Sequence, residues 1–253
     1  MVKARDRSRP FFLYLPFNAV HGPLQSPPGF TNLSKRDKRE ILLANMSYLD
    51  AAIGRLLATI HSEHLDETTL ILFFGDNGGQ LSQGANNGTL RGEKGGTFEG
   101  GIRVPAAIRW TDVLKPANSR QFVCAMDIYP TLCSAAGINC EQTESIDGVD
   151  LWPALKSGNV TRHGPFVMGN KDMACVAEPW KLVFDPKGDG IKLFDIVDDP
   201  NERNDLAAAN PDTVKNLTQF IESQRGTQKR DGGRNKGKGK NKKPEKKARQ
   251  GEI

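Results

Sequence analysis

The chain has 253 residues, and 37% of them are hydrophobic, which is enough to bury a core in one or two domains. Residues 225–253 contain twelve Lys or Arg and three Asp or Glu, so this segment carries +9 of charge and residues 1–224 carry −4 of the overall +5. The basic character therefore belongs to the carboxyl-terminal segment. No apolar run reaches the roughly 18 to 20 residues that cross a bilayer, so we expect no membrane span.

The first third of the sequence predicts a strand, a helix and a second strand. Residues 10–17 form a short apolar run rich in aromatic residues, which favours a buried strand. Ser34 followed by Asp37 resembles a helix amino-terminal cap, and apolar residues then recur at helical spacing as far as Ile60. Residues 68–74 are almost continuously apolar, as in a parallel strand covered on both faces. This order predicts a βαβ unit.

A glycine-rich loop over residues 75–101 follows, and it is too long and too polar for a simple connector. The patterns beyond this loop predict a strand, a short helix, an antiparallel hairpin and a last helix. These elements fall at residues 102–109, 127–137, 180–184 with 191–194, and 212–223. From residue 226 onward almost no apolar residue remains, so we expect a disordered tail.

The compartment is not settled by the sequence. Residues 1–5 are basic, but the apolar stretch that follows is short, contains Pro16 and lacks a small-residue cleavage site, so it does not match a signal peptide. The four cysteines show no Cys-x-x-Cys spacing of the kind that binds metal.

The most informative segment is the end of the predicted strand at residues 68–74. Asp76 and Asn77 follow it, so a carboxylate and an amide carbonyl lie at the edge of the sheet where open α/β folds bind ligands. Hard oxygen ligands of this kind suit calcium or magnesium rather than zinc. Taken alone, Asp-Asn-Gly-Gly is also a common turn sequence.

Two cationic or titratable residues lie near strand ends in the same part of the sequence. Lys94 is surrounded by glycines, which would allow its ammonium group to approach an anionic oxygen. His21, in His-Gly-Pro, could donate a hydrogen bond or a proton to a leaving oxygen. Without further context either residue could equally be an ordinary surface or structural residue.

Together these segments resemble the sulfatase family of the alkaline-phosphatase-like superfamily, most closely its arylsulfatase type. The matching segments occur in the same order over roughly residues 10–208. They are the run into His21-Gly-Pro23, then residues 48–54, 69–78, 90–95, 99–105, 127–132, 147–151 and 193–200.

The resemblance implies the roles of the site residues. Asp76 and Asn77 would hold one calcium ion, and Lys94 and His21 would contact the sulfate group and its ester oxygen. Glu99 and Arg103 also match, and we assign them structural roles. The other histidines, at 61, 64 and 163, are expected to be background. The family reaction is an attack on sulfur by a formylglycine hydrate, and the substrate would be a sulfated small molecule or polysaccharide.

The sequence departs from the family in one respect that matters for activity. Formylglycine is made from the cysteine of a Cys-x-Pro/Ala-x-Arg motif, and an acidic pair before it completes the metal site. Neither is present, since the segment from Cys133 to Gly137 has glycine in place of the arginine. We therefore expect a carboxyl-terminal portion whose amino-terminal half lies upstream or on a separate chain. This chain alone should bind the cation weakly and be inactive.

The resemblance also implies the fold, which is α/β: a partial alkaline-phosphatase-like sandwich with a mostly parallel sheet, plus a small carboxyl-terminal antiparallel subdomain. Residues 1–140 would form the last part of the catalytic domain, residues 141–224 the subdomain, and residues 225–253 the disordered basic tail. Relatives of this type are commonly periplasmic, extracellular or lysosomal.

Two alternative functions stay open. A phosphodiesterase or phosphonate hydrolase of the same superfamily would use the same pocket for a tetrahedral anion. A catalytically inactive domain could instead bind a polyanion through its basic tail. The tail lacks interleaved aromatic residues, so stacking on bases is not indicated and no specific nucleic-acid partner is expected.

Overall fold

The computed structural model describes residues 1–31, 33–34, 37–139, 146–161, 163–169, 173–185 and 190–231. Five helices and six strands lie within these ranges. In chain order they are α1 Lys38–Ser62, β1 Ile71–Phe74, α2 Glu99–Ile102, β2 Ala106–Arg109, α3 Ile128–Ala135, α4 Trp152–Ser157, β3 Phe166–Gly169, β4 Met173–Ala177, β5 Trp180–Asp185, β6 Gly190–Asp195 and α5 Pro211–Asp231.

The long helix α1 begins directly after Asp37, which is its capping residue. The side chain of Asp37 accepts a hydrogen bond from the Glu40 amide at 3.0 Å, which satisfies one of the free amides of the first turn. At the other end, Arg5 forms a 3.0 Å ion pair with Glu63, so the amino-terminal residues are joined to the end of the helix. The prediction of this helix is confirmed.

By length and composition alone, α1 is long and apolar enough to cross a membrane. Only a few of its residues are buried, among them Ile41, Leu42 and Ile60. Its first turn is bound to the following loop, since Lys38 donates a hydrogen bond to the Ser82 carbonyl at 2.9 Å. Length and hydropathy of a single helix do not establish a membrane span.

The strand predicted at residues 10–17 does not form, and this prediction is wrong. The segment has no regular structure, and Phe12 and Tyr14 are 81% and 71% exposed. A strand needs a neighbour to pair with its backbone groups and a layer to cover its side chains. No strand among the described residues pairs with this segment.

The mostly parallel sheet is likewise absent from the described part of the chain, where both sheets are antiparallel. β1 pairs with β2, so that Ile71 lies opposite Arg109 and Phe74 lies opposite Ala106. The expected parallel neighbour of β1 was the segment at 10–17, which forms no strand. Phe73 and Phe74 are consequently 43% and 39% exposed, although their sequence is typical of a covered strand.

The carboxyl-terminal sheet has the order β3-β4-β5-β6, and the predicted hairpin is confirmed as β5 and β6. Alternate residues point to opposite faces of a strand, and this sheet uses both faces. One face, with Leu182 and Leu193, packs against Leu217 and Ile221 of α5. The other face carries Ala174, Val176, Val183 and Phe194, and it packs against Phe98 and Phe122 from the earlier part of the chain.

The short helix α3 is also confirmed, and it ends before Gly137, which has a φ of 70°. Asp127 precedes it and is fully buried. Its carboxylate accepts hydrogen bonds from the Cys124 amide at 2.7 Å and the Val149 amide at 2.9 Å. These contacts join the start of α3 to the segment before α4.

Three of the four cysteines lie among the described residues. Cys124 and Cys175 are free, and Cys133 is disulfide-bonded.

The predicted last helix is confirmed as α5, which continues to Asp231, past the expected start of the tail at residue 225. The rest of that expected tail, residues 232–253, and the expected domain boundary at residue 140 lie outside the described residues.

Candidate functional site

The turn after β1 carries two side chains with oxygen atoms that could bind a cation. The Gly75 amide donates to the Pro105 carbonyl at 3.1 Å, which extends the pairing of β1 with β2 by one residue. Asp76 comes next and its side chain is exposed. Asn77 is half-buried, and its amide nitrogen donates to the Gly78 carbonyl at 2.8 Å. The amide oxygen of Asn77 is thereby left available as a ligand.

Two glycines, Gly78 and Gly100, lie where separate backbone segments are joined directly by hydrogen bonds. The Gly78 amide donates to the Gly101 carbonyl at 2.8 Å, and the Gly100 amide donates to the Arg91 carbonyl at 2.6 Å. A Cβ atom on Gly78 would overlap the carbonyl oxygen of Gly100, and one on Gly100 would lie 2.6 Å from the Arg91 carbonyl oxygen. Both positions therefore require glycine.

Lys94 is attached to the same turn through its backbone. Its amide donates to the Gly79 carbonyl at 3.2 Å, and Gly79 lies two residues after Asn77. The side chain of Asn87 fixes this point, because it accepts from the Gly79 amide at 2.8 Å and donates to the Gly79 carbonyl at 3.0 Å. Lys94 is half-buried, and its ammonium group forms no ion pair within the described part of the chain. We call residues 75–98 the Lys94 loop.

His21 forms hydrogen bonds within its own loop. It is exposed, its backbone amide donates to the Asn18 carbonyl at 2.9 Å, and its ring Nδ1 lies 2.6 Å from the Gly22 carbonyl oxygen. No hydrogen bond or ion pair between described residues connects it with Asp76, Asn77 or Lys94. The strand that was expected to end before His21, at residues 10–17, is absent.

A buried ionic cluster behind the loop was not predicted from the sequence. The Lys181 ammonium nitrogen lies 2.9 Å from Glu99 Oε1 and 2.8 Å from Glu202 Oε1. Glu202 also accepts a hydrogen bond from the Glu99 amide at 2.7 Å through its other oxygen. The Lys181 and Glu202 side chains have no exposed area. Burial raises the pKa of Glu202, an effect that the Lys181 charge opposes only in part.

The two residues assigned structural roles take part in this cluster. Glu99, which is 5% exposed, begins α2, and Arg103 lies 3.5 Å from its second carboxylate oxygen. A polar residue within a strand usually points to solvent, so Lys181 does not stand out in the sequence. The alternation of Trp180, Leu182 and Phe184 places Lys181 on the same face as the apolar Val183 but does not show that this face is covered.

The donor atoms suit a hard cation as part of a ligand set. Asp76 and Asn77 provide two oxygen ligands, whereas calcium takes six to eight and magnesium six. No group of three or more His, Cys, Asp and Glu side chains that could hold a metal occurs among the described residues. The remaining ligands would have to come from waters, the substrate or another segment.

Comparisons with known proteins match this chain to one family. The sulfatase family model matches residues 1–138. Mouse steryl-sulfatase is 34% identical over 161 residues, which is 60% of this chain and 25% of that protein. Human arylsulfatase A is 36% identical over 158 residues, or 61% of this chain and 30% of that protein.

A solved structure gives the same match in three dimensions. The crystal structure of Ps i-CgsB in complex with k-i-k-neocarrahexaose superposes with a TM-score of 0.79 and 32% identity. The superposed region covers 88% of this chain and 51% of that one. The chain therefore spans about half the length of this structural neighbour and about a quarter to a third of the two curated relatives.

Proposed function

Because this chain belongs to the sulfatase family, we propose that it supplies the cation-binding and anion-binding part of an active site that hydrolyses sulfate esters, of the arylsulfatase type. The observation that carries the proposal is the backbone bond from the Lys94 amide to Gly79 at 3.2 Å. It joins the backbone of Lys94 to the turn that carries Asp76 and Asn77 after β1. A positive side chain beside a cation site suits a small dianion such as a sulfate group.

Each residue has a separate task in the proposed reaction. Asp76 and Asn77 hold the divalent cation, for which we propose calcium, and this ion when bound would neutralise negative charge on the sulfate oxygens. The Lys94 ammonium group binds and orients a sulfate oxygen. His21 donates a proton to the ester oxygen of the leaving alcohol or phenol, once it is brought to the site.

The nucleophile is expected to be a formylglycine supplied by residues outside this sequence. The exposed aromatic residues support this division of the site. Phe73 and Phe74 on β1, and Phe12 and Tyr14 in the segment at 10–17, have the sequence pattern of covered strands and yet are exposed. We propose that the amino-terminal part of a sulfatase domain covers them, orders residues 10–17 as a strand and places His21.

The substrate class follows from the family and its printed relatives. Human arylsulfatase A and mouse steryl-sulfatase are named for aryl and steryl substrates, and Ps i-CgsB was crystallised with a neocarrahexaose. We propose a sulfate ester of a small molecule or of a saccharide as the substrate of the completed site. The fixed Lys94 loop recognises the sulfate group and not the rest of the molecule.

The binding half of the proposal is tested on the chain as it is. Calorimetric titration with calcium should show weak binding, with a Kd of about 1 mM or higher, because only two side chains are ligands. Asp76→Ala should abolish it, and Asp50→Ala, which removes an exposed carboxylate from α1, should leave it unchanged. Equal binding by the Asp76→Ala variant would contradict the assignment.

The catalytic half requires a completed domain. The chain alone should not hydrolyse 4-nitrophenyl sulfate, with or without calcium. A chimera carrying the amino-terminal portion of human arylsulfatase A, produced in cells that generate formylglycine, should do so. Lys94→Ala should lower its turnover about a hundredfold or more, whereas Lys115→Ala, at an exposed position, should not. Faster turnover of 4-nitrophenyl phosphate than of the sulfate would instead indicate a phosphoester hydrolase.

A further inference from the structure

The buried cluster of Glu99, Lys181 and Glu202 joins two parts of the chain that are far apart in sequence. Glu99 begins α2 directly after the Lys94 loop, Lys181 is the second residue of β5, and Glu202 lies in the connection after β6. The contacts therefore cross from the loop to the carboxyl-terminal sheet. They lie on the face of that sheet that also packs against Phe98.

Two unfavourable features meet in this cluster. A lysine without exposed area loses its hydration, and this cost is offset only when the charge is well paired. Glu202 has a φ of 54°, in the left-handed region that residues other than glycine rarely adopt. The Lys181 ammonium group and the Glu202 carboxylate both contact one residue, Glu99. A buried ion pair is often no more stabilising than an apolar pair, so stability alone does not explain the arrangement.

The groups bound by the cluster are the ones that shape the loop. Glu202 accepts the Glu99 amide hydrogen, which fixes the first residue of α2. The next two residues, Gly100 and Gly101, are in backbone contact with Arg91 and Gly78. The loop also binds the cluster, because the Arg91 side chain donates a hydrogen bond to the Glu202 carbonyl oxygen at 3.4 Å.

We propose that Lys181 and Glu202 are positioning residues that fix Glu99, and through it hold the Lys94 loop in the form that binds a cation and a sulfate group. The small carboxyl-terminal sheet is thus part of the machinery of the site although none of its residues reaches the anion. This inference rests on the proposed function for the identity of the ligands, but the ordering of the loop can be measured without them.

Two variants at Glu202 are compared with each other, and the control for Lys181 comes from the same carboxyl-terminal sheet. Glu202→Ala removes the acceptor for the Glu99 amide, whereas Glu202→Gln keeps a carbonyl oxygen at the end of the side chain. Lys181→Met removes the shared charge and leaves two carboxylates facing each other. Leu193→Ala is the control, because Leu193 is equally buried but packs on the α5 face of the sheet.

The first measurement is hydrogen–deuterium exchange of the full chain, followed in peptides that cover residues 92–103. Glu202→Ala and Lys181→Met should speed exchange there roughly tenfold or more relative to wild type. Glu202→Gln should restore slow exchange. Leu193→Ala should lower the thermal midpoint without selectively exposing this peptide. Equal exchange in Glu202→Ala and wild type, with both folded, overturns the proposal.

The second measurement is titration with calcium and then with inorganic sulfate. Loss of a residue that orients ligand-bearing segments typically weakens binding about 10- to 100-fold, and we expect this for Glu202→Ala but not for Glu202→Gln. If wild type binds neither ion while the exchange results hold, the proposed function fails and the positioning of the loop stands. If wild type binds both ions and Glu202→Ala binds them equally well, the positioning role is wrong. If Lys181→Met does not fold, the two Glu202 variants decide the question.

Discussion

Replacing His163 with alanine should destabilise the fold strongly. Its ring Nε2 lies 2.8 Å from Asp127 Oδ1 and its Nδ1 lies 2.8 Å from the Gly164 carbonyl oxygen. The side chains of His163 and Asp127 are 5% and 0% exposed, so the pair is shielded from water. The ring also meets Phe122 and Phe166, with centroids 5.8 and 5.4 Å away.

The size of the loss in stability follows from the Asp127 carboxylate, which stays buried without its histidine partner in His163→Ala. Breaking a buried ion pair by removing one partner costs about 3 to 5 kcal/mol, because the other charge stays buried. Asp127 keeps the two backbone hydrogen bonds from Cys124 and Val149, so we place the loss at the lower end, about 3 kcal/mol. For a chain of this length that corresponds to a fall of roughly 6 to 12 °C in the thermal midpoint.

The same pair predicts how stability depends on pH. Both ring nitrogens face acceptors, and only the doubly protonated ring can donate to both. Burial lowers the pKa of His163, but the Gly164 carbonyl, the Asp127 carboxylate and the charge of Glu178 together raise it above its usual 6.5. A group whose pKa is raised by folding stabilises the folded state fully below its unfolded pKa. This contribution is lost as the pH rises from about 6.5 through the raised value.

The assay compares thermal unfolding of wild type and His163→Gln from pH 5.5 to 9. Glutamine keeps one donor but does not titrate, so the wild-type advantage should be largest at the acid end and shrink above pH 6.5. The histidine at position 61, which pairs with Asp66 but has an 84% exposed side chain, is the control, and His61→Gln should change the midpoint little at any pH. Parallel profiles of wild type and His163→Gln across the whole range would refute the reasoning.

Two further predictions concern single backbone contacts. Gly78→Ala should lower the thermal midpoint by roughly 5 °C or more and speed amide exchange in the Lys94 loop, because the added Cβ overlaps the Gly100 carbonyl oxygen. Gly96→Ala is the control and should change either measurement little, since its Cβ would meet only a carbonyl oxygen at 3.4 Å. Asp37→Ala should cost about 1 kcal/mol in urea unfolding because it removes the amino-terminal cap of α1, and an unchanged midpoint would show that the cap is not used.

Sequence patterns predicted the elements that are stabilised within the chain itself. α1, α3 and the β5–β6 hairpin were expected at nearly their observed positions, because a capping residue, a terminating glycine or a turn between apolar runs acts over a few residues. The run at 10–17 has the composition of a strand, but a strand also depends on neighbours that its own sequence does not contain. The same dependence explains why β1 pairs antiparallel with β2 and lacks a parallel neighbour.

The candidate site was predicted in part for a related reason. Asp76, Asn77 and Lys94 were proposed from residue type and spacing, and the Lys94 amide bonds to Gly79 in the turn that carries the other two residues. Lys181 and Glu202 could not be recognised in this way, because their role depends on a packing of distant segments. The alternation in β5 assigns Lys181 to a face, but no local pattern shows that this face is covered.

The two parts of the site therefore differ in how much order they possess before any partner is present. The Lys94 loop is fixed by Asn87, by glycine contacts and by the cluster at Glu99, all of which lie within this chain. His21 follows a segment with exposed aromatic residues and no strand neighbours among the described residues. Completing the domain should then change the anion-binding half little, while the free energy of association is used mainly to order residues 10–21. The amide exchange of residues 92–103 should accordingly stay nearly constant on completion, and that of residues 10–21 should slow sharply.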